Sequence, residues 1–273
     1  MNLDTLFKNI KQKESFLCVG LDSCKRKIPK HLLSEPNPVL SFNKAIVNST
    51  HHLCVAYKLN LAFYENLGKE GYYILEETLK YIPDNILVIA DAKRGDIGNT
   101  SEEYAQAFFK KLNFDAITLS PYMGQDTVSP FLQYHNKWSI ILALTSNKSA
   151  SDFQFIKDAD GNYLFERVLQ ECKRWGTDNN TMFVVGATKS EYIKRVRKIA
   201  PSHFLLVPGI GKQGGSLNDV CEIGLNSTCG LLINSSRGII YASSDENFAQ
   251  AAKEEAMKLQ REMKKHLKKA NLL

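Results

Sequence analysis

The chain has 273 residues, 44% hydrophobic and 23% charged, the balance of a globular protein able to bury a substantial core. Its longest apolar runs, such as Ile140 to Leu144, are too short to cross a bilayer, and Met1-Asn2-Leu3-Asp4 does not open a secretory signal, so a cytoplasmic protein without membrane contact is expected. The net charge of +6 would suit a nucleic-acid partner if it covered a surface, but most of the excess falls in one C-terminal segment.

Eight short apolar or β-branched runs recur along the chain, with helical patterns between them. Phe16–Asp22 ends on Asp22, and a helix over Pro38–His51 follows. Val55–Asn60 carries Lys58 and Asn60 at its end, with a helix predicted over Ala62–Tyr81. Ile86–Lys93 carries Asp91 and Lys93. Ala116–Tyr122 offers Ser120, followed by a helix over Asp126–His135. Ser139–Ser146 ends on Thr145 and Ser146, and a helix over Tyr163–Trp175 comes next. Phe183–Thr188 leads to a helix over Lys189–Ile199. Phe204–Gly211 and Gly230–Asn234 end in glycine-rich and Asn-Ser segments. Strand–helix alternation implies parallel pairing, and eight repeats in this length imply one (β/α)8 TIM barrel spanning 1–273 as a single domain. In such a barrel the site lies at the carboxyl ends of the strands, where these polar residues gather. Serines and threonines there could simply reflect wet loops. Lysines inside apolar runs could not.

The third run has the strongest chemical content. Alternation along a strand sends Asp91 and Lys93 to one side, roughly 7 Å apart at the backbone. Gly95 and Gly98 open a loop that would bring Asp96 to the same place. Thr100 with Glu103 fits a capping box for a helix over Ser101–Leu112. A lysine among carboxylates at an apolar strand end is expensive to desolvate, which points to chemistry more than to a closing ion pair.

Two later loops suit a phosphate. Pro208-Gly209-Ile210-Gly211-Lys212-Gln213-Gly214-Gly215 permits close backbone approach, and Asn234-Ser235-Ser236-Arg237-Gly238 offers a guanidinium fork. Gly209 to Gly214 also fits G-x-G-x-x-G, but the acidic residue a dinucleotide fold needs about 20 positions on is missing from Leu232 to Ser236. The glycines make this loop a candidate lid. Along Lys253–Lys269, seven basic residues stand against three acidic ones, over an apolar stripe of Phe248, Ala252, Ala256, Leu259, Met263 and Leu267. That is a helix docked on a core with a solvated basic face, and no nucleic-acid partner is expected. Cys18, Cys24, Cys54, Cys172, Cys221 and Cys229 form no C-x-x-C pair, so neither disulfides nor a structural zinc are expected. The six histidines avoid the strand ends, which disfavours histidine or metal chemistry.

Assembled, these residues resemble the orotidine 5'-monophosphate decarboxylase family over nearly the whole length. The carriers are Asp91-x-Lys93-x-x-Asp96-Ile97, the flanking Lys93-Arg94-Gly95-Asp96-Ile97-Gly98-Asn99-Thr100 of the longer-chain bacterial subgroup, Pro208-Gly209-x-Gly211-x-Gln213-Gly214-Gly215 and Asn234-x-Ser236-Arg237. The resemblance implies decarboxylation of orotidine 5'-monophosphate to UMP and CO2 in de novo pyrimidine synthesis, with no cofactor and no metal. It implies that Asp22 and Lys58 meet the ribose hydroxyls, that Asp91 lies beside the substrate carboxylate, and that Lys93 protonates C6. Ser146 would touch the pyrimidine, and Gln213, Arg237, Gly211 and Ser236 the phosphate. Family members are homodimers, which would place Asp96 and Thr100 in the neighbour's site.

A Mg²⁺-dependent sugar-phosphate decarboxylase or aldolase of the same barrel group also carries D-x-K-x-x-D. Those relatives hold the metal with an acid at the end of the second strand, whereas this chain reads Tyr57-Lys58-Leu59-Asn60. A non-enzymatic interaction protein acting through the basic C-terminal helix is the remaining alternative.

Overall fold

The computed structural model describes residues 1–210 and 214–273. Eight parallel strands close into a barrel in sequence order. They are β1 (Leu17–Gly20), β2 (Ala56–Asn60), β3 (Leu87–Arg94), β4 (Ala116–Leu119), β5 (Trp138–Leu144), β6 (Thr181–Val185), β7 (Leu205–Pro208) and β8 (Leu231–Ser235). Each lies within or overlaps one of the eight runs. Near-continuous burial along them, for example all four residues of β1 and of β4, is what a sheet covered on both faces requires. Register sets Gly20 beside Lys58, Asn60 beside Asp91, and Pro208 beside Asn234, so the polar strand ends share one rim.

Several helices depart from the predicted spans. The pattern over Ala62–Tyr81 divides into Leu61–Glu65 and Lys69–Tyr81, because Gly68 turns the chain at φ +60° and Gly71 packs on the Tyr64 carbonyl too closely for a side chain. The helix expected from Ser101 begins at Gly98 and runs to Gln106 before a wider turn over Ala107–Lys111. Thr100 does not cap it: its own N–H already donates to the Ile97 carbonyl at 3.2 Å, inside the first turn. Asp126–His135 is shortened to a 3-10 turn over Gln125–Thr127 and an α-helical turn over Ser129–Leu132, and Lys189–Ile199 is α-helical only from Ile193, after a 3-10 segment over Ala187–Tyr192 that is broken at Lys189.

The C-terminal helix Phe248–Lys269 buries Phe248, Ala252, Ala256, Met263 and Leu267, with Leu259 half-buried, and the Phe248 ring stacks 5.3 Å from Phe42. Among the described residues no helix is long and apolar enough to cross a membrane, and all six cysteines are free thiols.

Sequence patterning did not single out the helix Leu3–Lys13. It is capped by the Asn2 side chain, and the residues before and along it reach the amino ends of three strands. The Met1 amino group pairs with Asp115, Trp138 Nε1 donates to the Met1 carbonyl at 2.8 Å, and Asn9 donates to the Asn85 carbonyl at 2.6 Å. It therefore covers the end of the barrel opposite the polar rim.

Candidate active site

A cavity of about 460 Å³ opens at the carboxyl ends of the strands, within the ~300–1,000 Å³ usual for small-molecule sites. Leu142, Val184 and Leu206 supply apolar wall, and polar groups converge on it from β1, β2, β3, β4, β5 and β8.

One side is a charged array. Lys58 on β2 has a side chain only 6% exposed, with Nζ 2.7 Å from Asp91 Oδ2 and 3.7 Å from Asp22 Oδ1. Burial alone would pull its ammonium down, but the charges of Asp22 and Asp91 outweigh that and hold it above the ordinary lysine value. Burial likewise opposes ionisation of Asp91, and Lys58 and Lys93 reverse the balance, pushing its carboxyl down to about 2. Lys93 Nζ donates to Asp91 Oδ1 at 2.5 Å, while the Lys93 side chain remains 51% exposed toward the cavity mouth. Asp91 thus holds two ammonium groups, one sunk in the wall and one facing the opening. Asp22 lines the cavity, and its Oδ1 is buried with no hydrogen-bond partner among the described residues, the Lys58 ammonium at 3.7 Å being its compensating charge.

Asp91 and Lys93 do meet as expected, though not through a plain pleat. Lys93 adopts φ +49°, and the β3–β4 register shifts between Ala90 and Arg94. Arg94 anchors the following turn, donating to the Ala92 carbonyl, pairing with Glu65 and lying over the rings of Tyr104 and Phe108. Asp96 is a correction. It forms no ion pair with Lys93 within the chain, because its carboxylate turns back onto the Ile97 N–H at 2.8 Å. Neither it nor Thr100 lines the cavity, and Thr100 is exposed.

Ser236 and Arg237 line the same cavity beyond β8, the strand paired with β1, with Arg237 exposed. Ser236 Oγ donates to the Gly20 carbonyl at 3.1 Å, and a Cβ on Gly20 would stand 2.7 Å from that of Ser236. Glycine at 20 is what lets the two loops close. Gly211 and Gln213 lie outside the described residues. Ser146 lines the cavity between Thr145 and Asn147. It is held there by Gly186, where a Cβ would meet the Ser146 nitrogen at 2.7 Å, and by Gln154, which both accepts from Thr145 N and donates to Thr145 Oγ1 at 2.8 Å.

One cavity residue, and one residue that supports the cavity wall through Thr145, are not marked by the sequence pattern. Thr118 on β4, not Ser120, faces the site; the Ser120 N–H is drawn to the Arg94 carbonyl at 2.7 Å. Gln154 sits in a long loop without periodicity and is recognisable only from its contact. Among the described residues no three of His, Cys, Asp and Glu group as metal ligands.

A profile described as the orotidine 5'-phosphate decarboxylase / HUMPS family matches residues 15–254. A protein of Bacteroides fragilis named orotidine 5'-phosphate decarboxylase is 56% identical over 271 residues, covering 98% of this chain and 99% of the relative. One of that name from Porphyromonas gingivalis is 53% identical over 277 residues, covering all of both chains. Among solved structures, Leishmania donovani OMP decarboxylase superposes with a TM-score of 0.81 at 38% identity, over 96% of this chain and 99% of the other. Leishmania donovani UMP synthase superposes with a TM-score of 0.82 at 40% identity, over 94% of this chain but 56% of the other. With the profile covering most of its length and these identities over nearly all of it, the chain belongs to the orotidine 5'-phosphate decarboxylase / HUMPS family.

Proposed function

We propose that the chain decarboxylates orotidine 5'-monophosphate to UMP and CO2 for pyrimidine biosynthesis, using Lys93 as the proton donor to C6. The observation that carries this reading is the Asp22–Lys58–Asp91–Lys93 array lining one cavity together with Ser236 and Arg237. The family membership and the names of its close relatives support it.

In this reading Arg237, Ser236 and the loop containing Gly211 and Gln213 hold the phosphate, and Asp22 and Lys58 take the ribose hydroxyls. The pyrimidine then lies near Ser146, with its carboxylate against Asp91. Breaking the bond to CO2 leaves the electron pair on C6, without a ring position to delocalise it. The Lys93 ammonium meets that charge as it forms and passes its proton to C6, ending neutral until solvent recharges it. Asp91, held anionic, repels the substrate carboxylate but not the product, so the interaction favours the transition state over the bound substrate. Phosphate contacts remote from the bond supply binding energy for that difference.

The partner in this reading is a second copy of the chain, with Asp96 and Thr100 reaching across to the neighbour's site. Their position outside the cavity of their own chain is in keeping with this, as are Ile97, Tyr122 and Met123, exposed apolar side chains on the adjoining loops. The cytoplasm is the compartment expected of such an enzyme. The Mg²⁺-dependent alternative is not adopted, because Lys58 puts a cation where that group needs an acid.

The test is the fall in orotidylate absorbance on adding purified protein without metal, with and without EDTA. UMP should appear at the same rate in both; absence of UMP would remove the proposal, and loss of activity in EDTA would revive the metal-dependent alternative.

A further inference from the structure

We infer that Thr118 is a positioning residue for the Asp91–Lys93 pair, its hydroxyl fixing both the Lys93 backbone and the carboxylate that the Lys93 ammonium touches. The inference rests on the decarboxylase reading, and deepens it.

Thr118 is 1% exposed, on β4 at the cavity wall. Its Oγ1 accepts the Lys93 N–H at 2.9 Å and donates to Asp91 Oδ1 at 3.1 Å, and that same Oδ1 receives Lys93 Nζ at 2.5 Å. A hydroxyl has a single proton, so donation to Asp91 leaves its lone pairs for Lys93, and both roles are used at once. The contacts form a closed circuit that begins and ends on one residue.

The circuit explains two irregularities together. Lys93 sits at φ +49°, which its Cβ disfavours, and β3 loses register with β4 between Ala90 and Arg94. In a regular ladder the Lys93 N–H would bond a backbone carbonyl of the neighbouring strand. Here the threonine hydroxyl replaces that carbonyl, so the backbone can turn left-handed and return the ammonium onto Asp91. A side chain otherwise unremarkable in a strand thereby sets where the proton donor stands.

Thr118→Val keeps the shape and removes the hydroxyl; Thr118→Ser keeps the hydroxyl and removes the methyl. Relative to wild type, Thr118→Val should lower kcat by about 10- to 100-fold while KM for orotidylate moves by less than about threefold. The acid limb of its pH–rate profile should move upward, since Asp91 loses a donor. Thr118→Ser should stay within about threefold of wild type. A crystal structure of Thr118→Val should show Lys93 leaving the left-handed region, a readout independent of the reaction. Should Thr118→Val fail to fold, Thr118→Ala serves in its place. Wild-type turnover in Thr118→Val, equal loss in the valine and serine variants with matching losses of thermal stability, or an unmoved Lys93 in the variant structure would each overturn the inference. If wild-type protein fails to convert orotidylate while the variant structure shows Lys93 displaced, the decarboxylase reading fails and the positioning role survives.

Discussion

The two ends of the barrel bury ionisable groups in opposite ways. At the carboxyl ends of the strands, Lys58 is enclosed by Asp22 and Asp91, and the array keeps its charges despite desolvation. At the other end, His203 precedes β7, is 5% exposed, and has both ring nitrogens without a hydrogen-bond partner among the described residues. Burial drives its pKa down to about 4, with Asp178 opposing the shift and Lys173 and Arg197 adding to it. Nearby Arg197 donates to the carbonyls of Ala200, His203, Gly224 and Gly230, and burial lowers it to about 10. One end preserves charge where chemistry can use it. At the other, His203 gives its charge up, while Arg197 stays cationic and joins loops. The contrast predicts that changes at the first end cost activity and changes at the second cost stability.

Lys93→Ala should produce the largest effect. UMP formation should fall by at least about 10⁴-fold, since proton delivery and charge stabilisation go together. Binding of UMP, followed by calorimetry, should change by less than about tenfold, and the melting temperature by a few degrees, because the Lys93 side chain is half exposed. Turnover like that of wild type would dissolve the distinction between the ends and the role given to Lys93. Arg237→Ala removes a fork at the exposed rim and should lower kcat/KM by about 10²-fold, chiefly through KM. An unchanged kcat/KM would take Arg237 out of the phosphate site.

How much of this was legible depended on whether a residue broke its local pattern. Asp22, Lys58, Asp91 and Lys93 stand out because charge interrupts or ends apolar runs, and their place at the carboxyl ends of those runs in a parallel barrel assigns them to one rim. Thr118 breaks nothing: a β-branched residue in a strand is what propensity favours, so its hydroxyl becomes informative only beside Asp91. The Thr100 cap failed for the converse reason. The local signal was present, but Ser101 is tied to the carbonyls of Asp96 and Thr127, which sets the helix start from outside it. Asp96 was drawn toward Lys93 by sequence proximity, whereas its carboxylate closes on its own neighbour's N–H. Leu3–Lys13 was hidden because its buried face is only Leu6, Asn9 and Ile10, and its docking depends on the distant Asp115, Asn85 and Trp138.

The smallest expected effect separates the two ends by pH. An unfolded histidine takes up its proton near 6.5, but His203 in the folded chain does so only near 4. Between those values the unfolded state binds more protons, so stability should fall as pH drops from 6.5 toward 4. Allowing for partial solvation, the loss is about 2 kcal/mol. Asp91 works in a lower window. Its carboxyl is held at about 2 against an ordinary 3.8, so the stability it contributes is present above 3.8 and is lost only as pH falls toward 2. Melting curves of wild type and His203→Leu at pH 7 and 4.5 distinguish these groups. The variant should lose about 2 kcal/mol less than wild type across that interval, with turnover per folded molecule at pH 7 unchanged. Parallel losses in the two proteins would mean that another group carries the acid sensitivity. Impaired turnover in the folded variant would mean that the amino end of the barrel reaches the chemistry after all.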